Sequence, residues 1–142
     1  MVETEILSPV TALIAWTMVM WFWMYKTRIP SIIRLKMRLD PYAPKGEQMN
    51  SLPAEVRWKA DNYNHLMEQP TLFYALCMVL ALKGHGNGLN TQLAWGYVGT
   101  RVIHSFVQSL GNVIRYRFLV FTISSFFLIT MIIRTVILEI NF

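Results

Sequence analysis

Arg101 and His104 stand near the middle of Thr91–Leu110, a stretch otherwise apolar enough to cross a bilayer. A cation at that depth costs about 3 kcal/mol or more unless it faces a partner, an internal cavity or water. Candidate partners precede it: Asp61 and Glu68 lie just before the preceding apolar run. Arg57, Asp61, His65 and Glu68 follow one another at four, four and three residues, one stripe on a helix, with Asn64 beside it. Arg101, His104, Ser105 and Gln108 repeat the pattern at three, one and three. Polar stripes on adjacent helices in lipid should face each other or a neighbouring subunit. Such a set offers a binding site for a charged solute, interhelical ties, or, through Glu68, a carrier for protons.

The elements that position these residues follow from hydropathy. The chain has 142 residues, of which 54% are hydrophobic and 15% charged, so it holds one domain and that domain belongs in a membrane. A passage takes roughly 20 helical residues, and four passages consume nearly the whole length. We expect spans at about 6–28, 55–83, 90–111 and 117–139, all helical, with a basic loop at 29–54. The first span begins at Glu3 and Glu5 and ends in an aromatic cluster, Trp16, Trp21, Trp23 and Tyr25, which reads as a retained anchor and not a cleaved signal. Ser8 is its expected N-cap. The second apolar core, Thr71–Leu82, is too short to cross alone and needs the polar stretch from Pro53–Glu55 onward as the same helix. In the fourth span Arg134 is close enough to the end to reach out toward Glu139.

Ten basic residues flank the first and third connections: Lys26, Arg28, Arg34, Lys36, Arg38, Lys45, Arg57, Lys59, Arg115 and Arg117. The second connection has only Lys83. This bias places the first and third connections in the cytoplasm and both termini on the opposite side. It also accounts for the net charge of +5, and no base-reading platform lies outside the membrane, so nucleic acid is not a partner. Ile33 to Leu39 alternates apolar and basic residues, as a segment lying against anionic headgroups would. Pro41, Pro44, Gly46 and Pro53 make the rest of that connection a loop. Cys77 sits in an apolar run and reads as a packing residue. His65, His85 and His104 fall on three segments without paired ligand spacing, so no metal site is expected.

Two stretches, Ala60–Leu76 (ADNYNHLMEQPTLFYAL) and Arg101–Gln108 (RVIHSFVQ), followed by Arg115 and Arg117, resemble the MAPEG proteins. These are membrane-associated proteins in eicosanoid and glutathione metabolism, microsomal glutathione transferases among them. The resemblance covers most of the chain. It implies a homotrimer of four-helix protomers that binds glutathione, as co-substrate, between subunits near the cytoplasmic side. By resemblance the acidic contact falls on Glu68, its polar neighbour on Asn64 or His65, and the third-helix pair on Arg101 and His104. Arg57 and Gln108 complete the binding set, and the arginine that holds the thiolate is Arg117, with Arg115 the alternative. Glutathione carries two carboxylates and an ammonium, so cations, an acid and a donor near sulfur are what its site requires. The chain departs from some active members at Gln108 and Phe118, where two hydroxyl donors are lost, which argues against prostaglandin-isomerase chemistry. Asp61 and Asn64 stand where arginines are common in the mammalian transferases.

The resemblance thus implies a thiol-binding protein that conjugates glutathione to, or reduces, lipophilic electrophiles. Its alternative is a non-catalytic scaffold or lipid-binding member of the same fold, in which Glu68 and Arg101 form a structural tie. A proton-coupled exporter would need inverted repeats that the chain lacks. Compactness and the lack of retention signals point to a bacterial inner membrane.

Overall fold

The computed structural model describes residues 1–140, and every regular element in it is helical. Helix α1 spans Leu7–Arg34, the short α2 Glu47–Asn50, α3 Ala54–Leu66, α4 Gln69–Leu82, α5 Gly88–Leu110 and α6 Ile114–Ile140. Three stretches are long and apolar enough to cross a membrane: α1, α3 with α4 as one rod, and α6. The expected third span falls short of that standard. Helix α5 is long enough, but the polar side chains it turns inward lower its hydropathy.

The sequence patterns explain which faces are covered. On α1, Val10, Leu13, Thr17, Met20 and Met24 are buried at alternating spacings of three and four, the stripe of a helix packed on one side. Helix α6 buries only Ser124, Leu128, Met131 and Thr135, and its remaining apolar surface is open, as suits a helix bathed in acyl chains. Helix α5 is the reverse, since Arg101, His104, Ser105, Gln108 and Ser109 all lie on its buried side. It packs along α6 and also against α1 and α3. Trp16 Nε1–H donates to Ser105 Oγ at 3.0 Å, tying α1 to α5. Tyr97 stacks on Phe73 with centroids 4.5 Å apart, and its hydroxyl donates to Gln69 Oε1 at 3.2 Å. Gln69 Nε2–H in turn donates to Ser125 Oγ at 3.0 Å, so one glutamine joins α4, α5 and α6. Cys77 is fully buried among apolar neighbours.

Several boundaries differ from the sequence expectation. Helix α1 runs on to Arg34, six residues past the expected end, because Pro30 lies near its C-terminus with its ring exposed and interrupts only a terminal turn. The helix closes where Lys36 adopts φ +49° and Met37 N–H reaches back to the Ile32 carbonyl at 3.2 Å. Ile33 therefore belongs to the helix, and only Leu35–Leu39 remains of the expected interfacial segment. The loop is also not wholly irregular, since it holds α2. Ile6, not Ser8, occupies the N-cap of α1.

The largest departure is in the second rod. It breaks between Leu66 and Gln69, where Glu68 takes φ −92° and ψ −97°. Pro70 causes the break: it has no N–H to offer the Leu66 carbonyl, and its ring collides with that carbonyl in a continuous helix.

The N-terminal segment, the α4–α5 turn and the last turns of α6 gather at one pole. Glu3 N–H donates to the Ala81 carbonyl and Ile6 N–H to that of Gly86, at 3.0 and 2.9 Å. A Cβ on Gly86 would fall 2.2 Å from the Glu3 carbonyl oxygen, so only glycine permits this approach. Lys83 pairs with Glu139 at the same pole. Arg134 does not reach toward Glu139 but donates from Nε to Asn90 Oδ1 at 2.9 Å. The basic loop and the α5–α6 turn lie at the opposite pole.

Candidate functional site

Toward that opposite pole the α3–α4 break, the end of α5 and the start of α6 border an open polar cleft of about 370 Å³. Asp61, Asn64, His65, Glu68, Gln108 and Arg117 line it. All six stand out in the sequence, five of them as binding residues by resemblance and Asp61 as a member of the polar stripe one turn before His65 on the same face of α3.

Each wall has a local cause. Glu68 is at the N-cap of α4, where a negative charge is favoured by the exposed amide ends of the helix. Its carboxylate lies 3.0 Å from His65 Nδ1 while 69% of the side chain stays exposed. Arg117 is held by Asn112, whose Oδ1 accepts from Arg117 Nη1 at 2.7 Å. Asn112 can do this because it closes α5: its φ is +47°, and its N–H returns to the Val107 carbonyl at 2.8 Å. Asparagine tolerates that left-handed conformation better than most residues. The sequence reading missed Asn112, although Gly111–Asn112 after a long apolar segment is the usual end signal of a helix.

Arg101 does not line the cleft. It is 0% exposed, and among the described residues no carboxylate approaches within ion-pair distance, so the expected Glu68–Arg101 tie does not form. Arg101 Nη2–H donates instead to the His65 carbonyl at 3.1 Å, and the guanidinium lies 5.7 Å from the Phe121 ring centroid. His65 is in the last turn of α3, whose end Pro70 enforces in the interior of the rod. The buried cation is therefore met by the carbonyl end of a helix, whose partial negative charge suits it. His65 connects the two charges, with its carbonyl on Arg101 and its ring on Glu68. Among the described residues the Nε and Nη1 atoms of Arg101 have no hydrogen-bond partner, nor do both amide atoms of Asn62, Gln108 Oε1 and Ser109 Oγ. Ser105 and Gln69, by contrast, tie helices together.

His104 also lies outside the polar cleft. Its ring is 5.0 Å from that of His65, and it lines a second space of about 190 Å³ with His65, Ile114, Arg117, Phe118 and Phe121. His65 and Arg117 are common to both spaces. Arg57 is half-buried on α3 and lines neither. Arg115 turns to a groove of about 590 Å³ with Val113, Tyr116, Phe118, Leu119 and Thr122, so of the two arginines Arg117 is the one that faces the acid.

A family model described as MAPEG family matches residues 6–137, nearly the whole chain. This chain belongs to the MAPEG family. No curated protein and no solved structure matches it. As a MAPEG protein with long apolar helices it is an integral membrane protein, and the polar residues clustered at the α3–α4 break are those through which the family resemblance was read.

Proposed function

We propose that this MAPEG protein binds glutathione, or a related thiol carrying the same charges, and transfers it to, or uses it to reduce, lipophilic electrophiles. The observation that supports this best is the convergence of Glu68 and Arg117 on one polar space. About 370 Å³ lies within the roughly 300–1,000 Å³ usual for small-molecule sites. Glu68 suits the ammonium group, Asn64 and Gln108 offer amide donors to a carboxylate, and Arg117 is the cation for a thiolate. Arg101 acts through His65, whose position it fixes. Once the thiolate is formed, orientation and charge stabilisation supply most of the remaining catalysis.

In this reading four helical spans, α5 included, form each protomer, and three protomers assemble with the clefts at their boundaries. The exposed side of Glu68 would then face a neighbour. The basic pole lies in the cytoplasm of a bacterial cell, both termini lie across the inner membrane, and the electrophile arrives through the bilayer.

Titration calorimetry of the detergent-purified protein with glutathione, combined with thiolate absorbance, tests this. Saturable binding is expected, and Arg117→Ala should abolish the thiolate signal while changing affinity less. No binding at millimolar thiol would remove the proposal. The second reading, a non-catalytic scaffold, draws support from Gln108 and Phe118 where hydroxyl donors are absent. It gains if Glu68→Gln breaks the assembly while added thiol changes nothing.

A further inference from the structure

The end of α1 and the turn that closes it leave positive charge and apolar surface unpartnered in the same place. The helix has 28 residues, so at 1.5 Å each it is roughly 42 Å long, against about 40–45 Å for a bilayer with its headgroups. Its last turn therefore falls at headgroup depth. There Arg34, Lys36 and Arg38 are exposed, and among the described residues no carboxylate comes within ion-pair distance of any of them. Asp40, the nearest acid in sequence, is turned to its own loop, where its Oδ1 accepts from the Tyr42 N–H at 2.9 Å. Among these cations stand Ile33, which is 70% exposed, and Leu35 and Leu39, each exposed by half or more.

The segment is held in this shape from two sides. Gln48, on α2, accepts from the Asp40 N–H through Oε1 at 3.0 Å and donates from Nε2 to the Arg38 carbonyl at 2.6 Å, so the backbone is fixed on both sides of Leu39. Lys36 has φ +49°. Glycine takes that left-handed conformation without the clash a Cβ brings, and it is the usual residue where a helix closes in this way. A lysine there keeps a positive charge against backbone strain, and strain of this kind gathers where a ligand is held.

We propose that Ile33–Leu39 is a docking site for an anionic phospholipid of the leaflet at the basic pole, with the cations on its phosphate and the apolar side chains against its acyl chains. The chemistry selects the partner. A soluble anion would neutralise the cations and leave Ile33, Leu35 and Leu39 in water. A zwitterionic lipid would cover them but bring an ammonium group beside three unpaired cations. A phospholipid whose headgroup adds no positive charge, such as phosphatidylglycerol, meets both requirements. None of these residues lines the polar cleft, so the site does not rest on the thiol-binding reading.

The test places the full chain, with Leu39→Cys carrying a fluorescent label, in phosphatidylcholine nanodiscs. Cys77 is fully buried and takes no label. Phosphatidylglycerol or phosphatidylcholine with a spin-labelled chain, which quenches on contact, is added in rising mole fraction. Phosphatidylglycerol should reach half-maximal quenching at a fraction at least about tenfold lower, since each basic residue near an anionic surface contributes about fivefold. Arg38→Gln should raise that fraction about fivefold. Lys36→Gly should do the same while the melting temperature in pure phosphatidylcholine holds or rises, because the strain leaves with the charge; a merely structural lysine would not give that pair of results. Lys45→Gln, in the same loop but outside the site, should change little. Native mass spectrometry of the unlabelled protein should show phosphatidylglycerol retained over phosphatidylcholine, and less so in Arg38→Gln. Equal quenching by the two lipids, a preference that survives Lys36→Gly and Arg38→Gln, or an equal loss in Lys45→Gln overturns the proposal. So does the absence of quenching by either lipid, which would place the segment against water or another protomer.

Discussion

Arg101 makes one hydrogen bond from a guanidinium that has five N–H groups to satisfy, and it does so wholly enclosed. Its role can be separated from that of an ion pair by substitution. Replacing a buried charge with an apolar side chain of similar length is often neutral or stabilising, because the desolvation cost disappears with the charge. Arg101→Met should therefore hold or raise the melting temperature. It should also weaken glutathione binding about tenfold, equivalent to about 1.4 kcal/mol, because the His65 carbonyl loses its anchor and Glu68 its fixed neighbour. Thermal unfolding and calorimetry on the same preparation check both halves, and a large fall in melting temperature would mark Arg101 as structural. The anomaly of this residue was legible in the sequence, since an arginine amid Thr91–Leu110 needs a reason. Its partner was not. The acids at Asp61 and Glu68 attracted the reading, whereas the acceptor is a backbone carbonyl, which no side-chain pattern announces.

That carbonyl can accept from Arg101 because α3 ends where it does, where it takes only a 3.3 Å bond from the Glu68 N–H, and the cause is Pro70. In an uninterrupted helix the Gln69 N–H would take up the His65 carbonyl, four residues before it. A proline within a helix costs about 3 kcal/mol, so Pro70→Ala would ordinarily stabilise the rod. Here, closing the break withdraws the one acceptor Arg101 has among the described residues, and a buried charge left without a partner costs about 3–5 kcal/mol. The second effect is the larger. Pro70→Ala should lower the melting temperature of the unaltered protein and raise it in the Arg101→Met background. A double-mutant cycle with that reversal of sign shows the coupling, and additive effects would show that break and cation are independent. The break was readable from Pro70 alone, by the rule that a proline ends the helix before it. It went unread because a short apolar core needs the upstream residues to reach bilayer length, and a continuous rod met that demand. The boundaries at Arg34 and Ile114 shifted for a related reason: helices persist into the interface beyond their apolar stretch, because backbone bonding continues where hydropathy ends.

For the whole molecule, the charge distribution and the hydrogen bonds at the two poles make the same division. The N-terminal segment, the α4–α5 turn and the end of α6 are joined by Glu3 to Ala81, Ile6 to Gly86 and Lys83 to Glu139. The basic loop and the α5–α6 turn occupy the other pole, beside the polar cleft. A lysine and arginine excess of this kind is what the proposed cytoplasmic placement of that pole rests on. Cys77 is fully enclosed, so the unaltered chain should not react with a membrane-impermeant maleimide and serves as its own blank. Val2 and Tyr42 are both exposed, Tyr42 at 94%, and mark opposite poles. In intact cells Val2→Cys should label and Tyr42→Cys should not, and permeabilisation should make the second react as fast as the first. The reverse order would place the cleft on the outer side, away from the cytoplasmic thiol pool, and would disconnect the charge bias from the site it surrounds. Equal labelling of both before permeabilisation would mean that the two poles are not separated by a bilayer, and α5, the one long helix too polar to qualify as a span on hydropathy, would be the first element to re-examine.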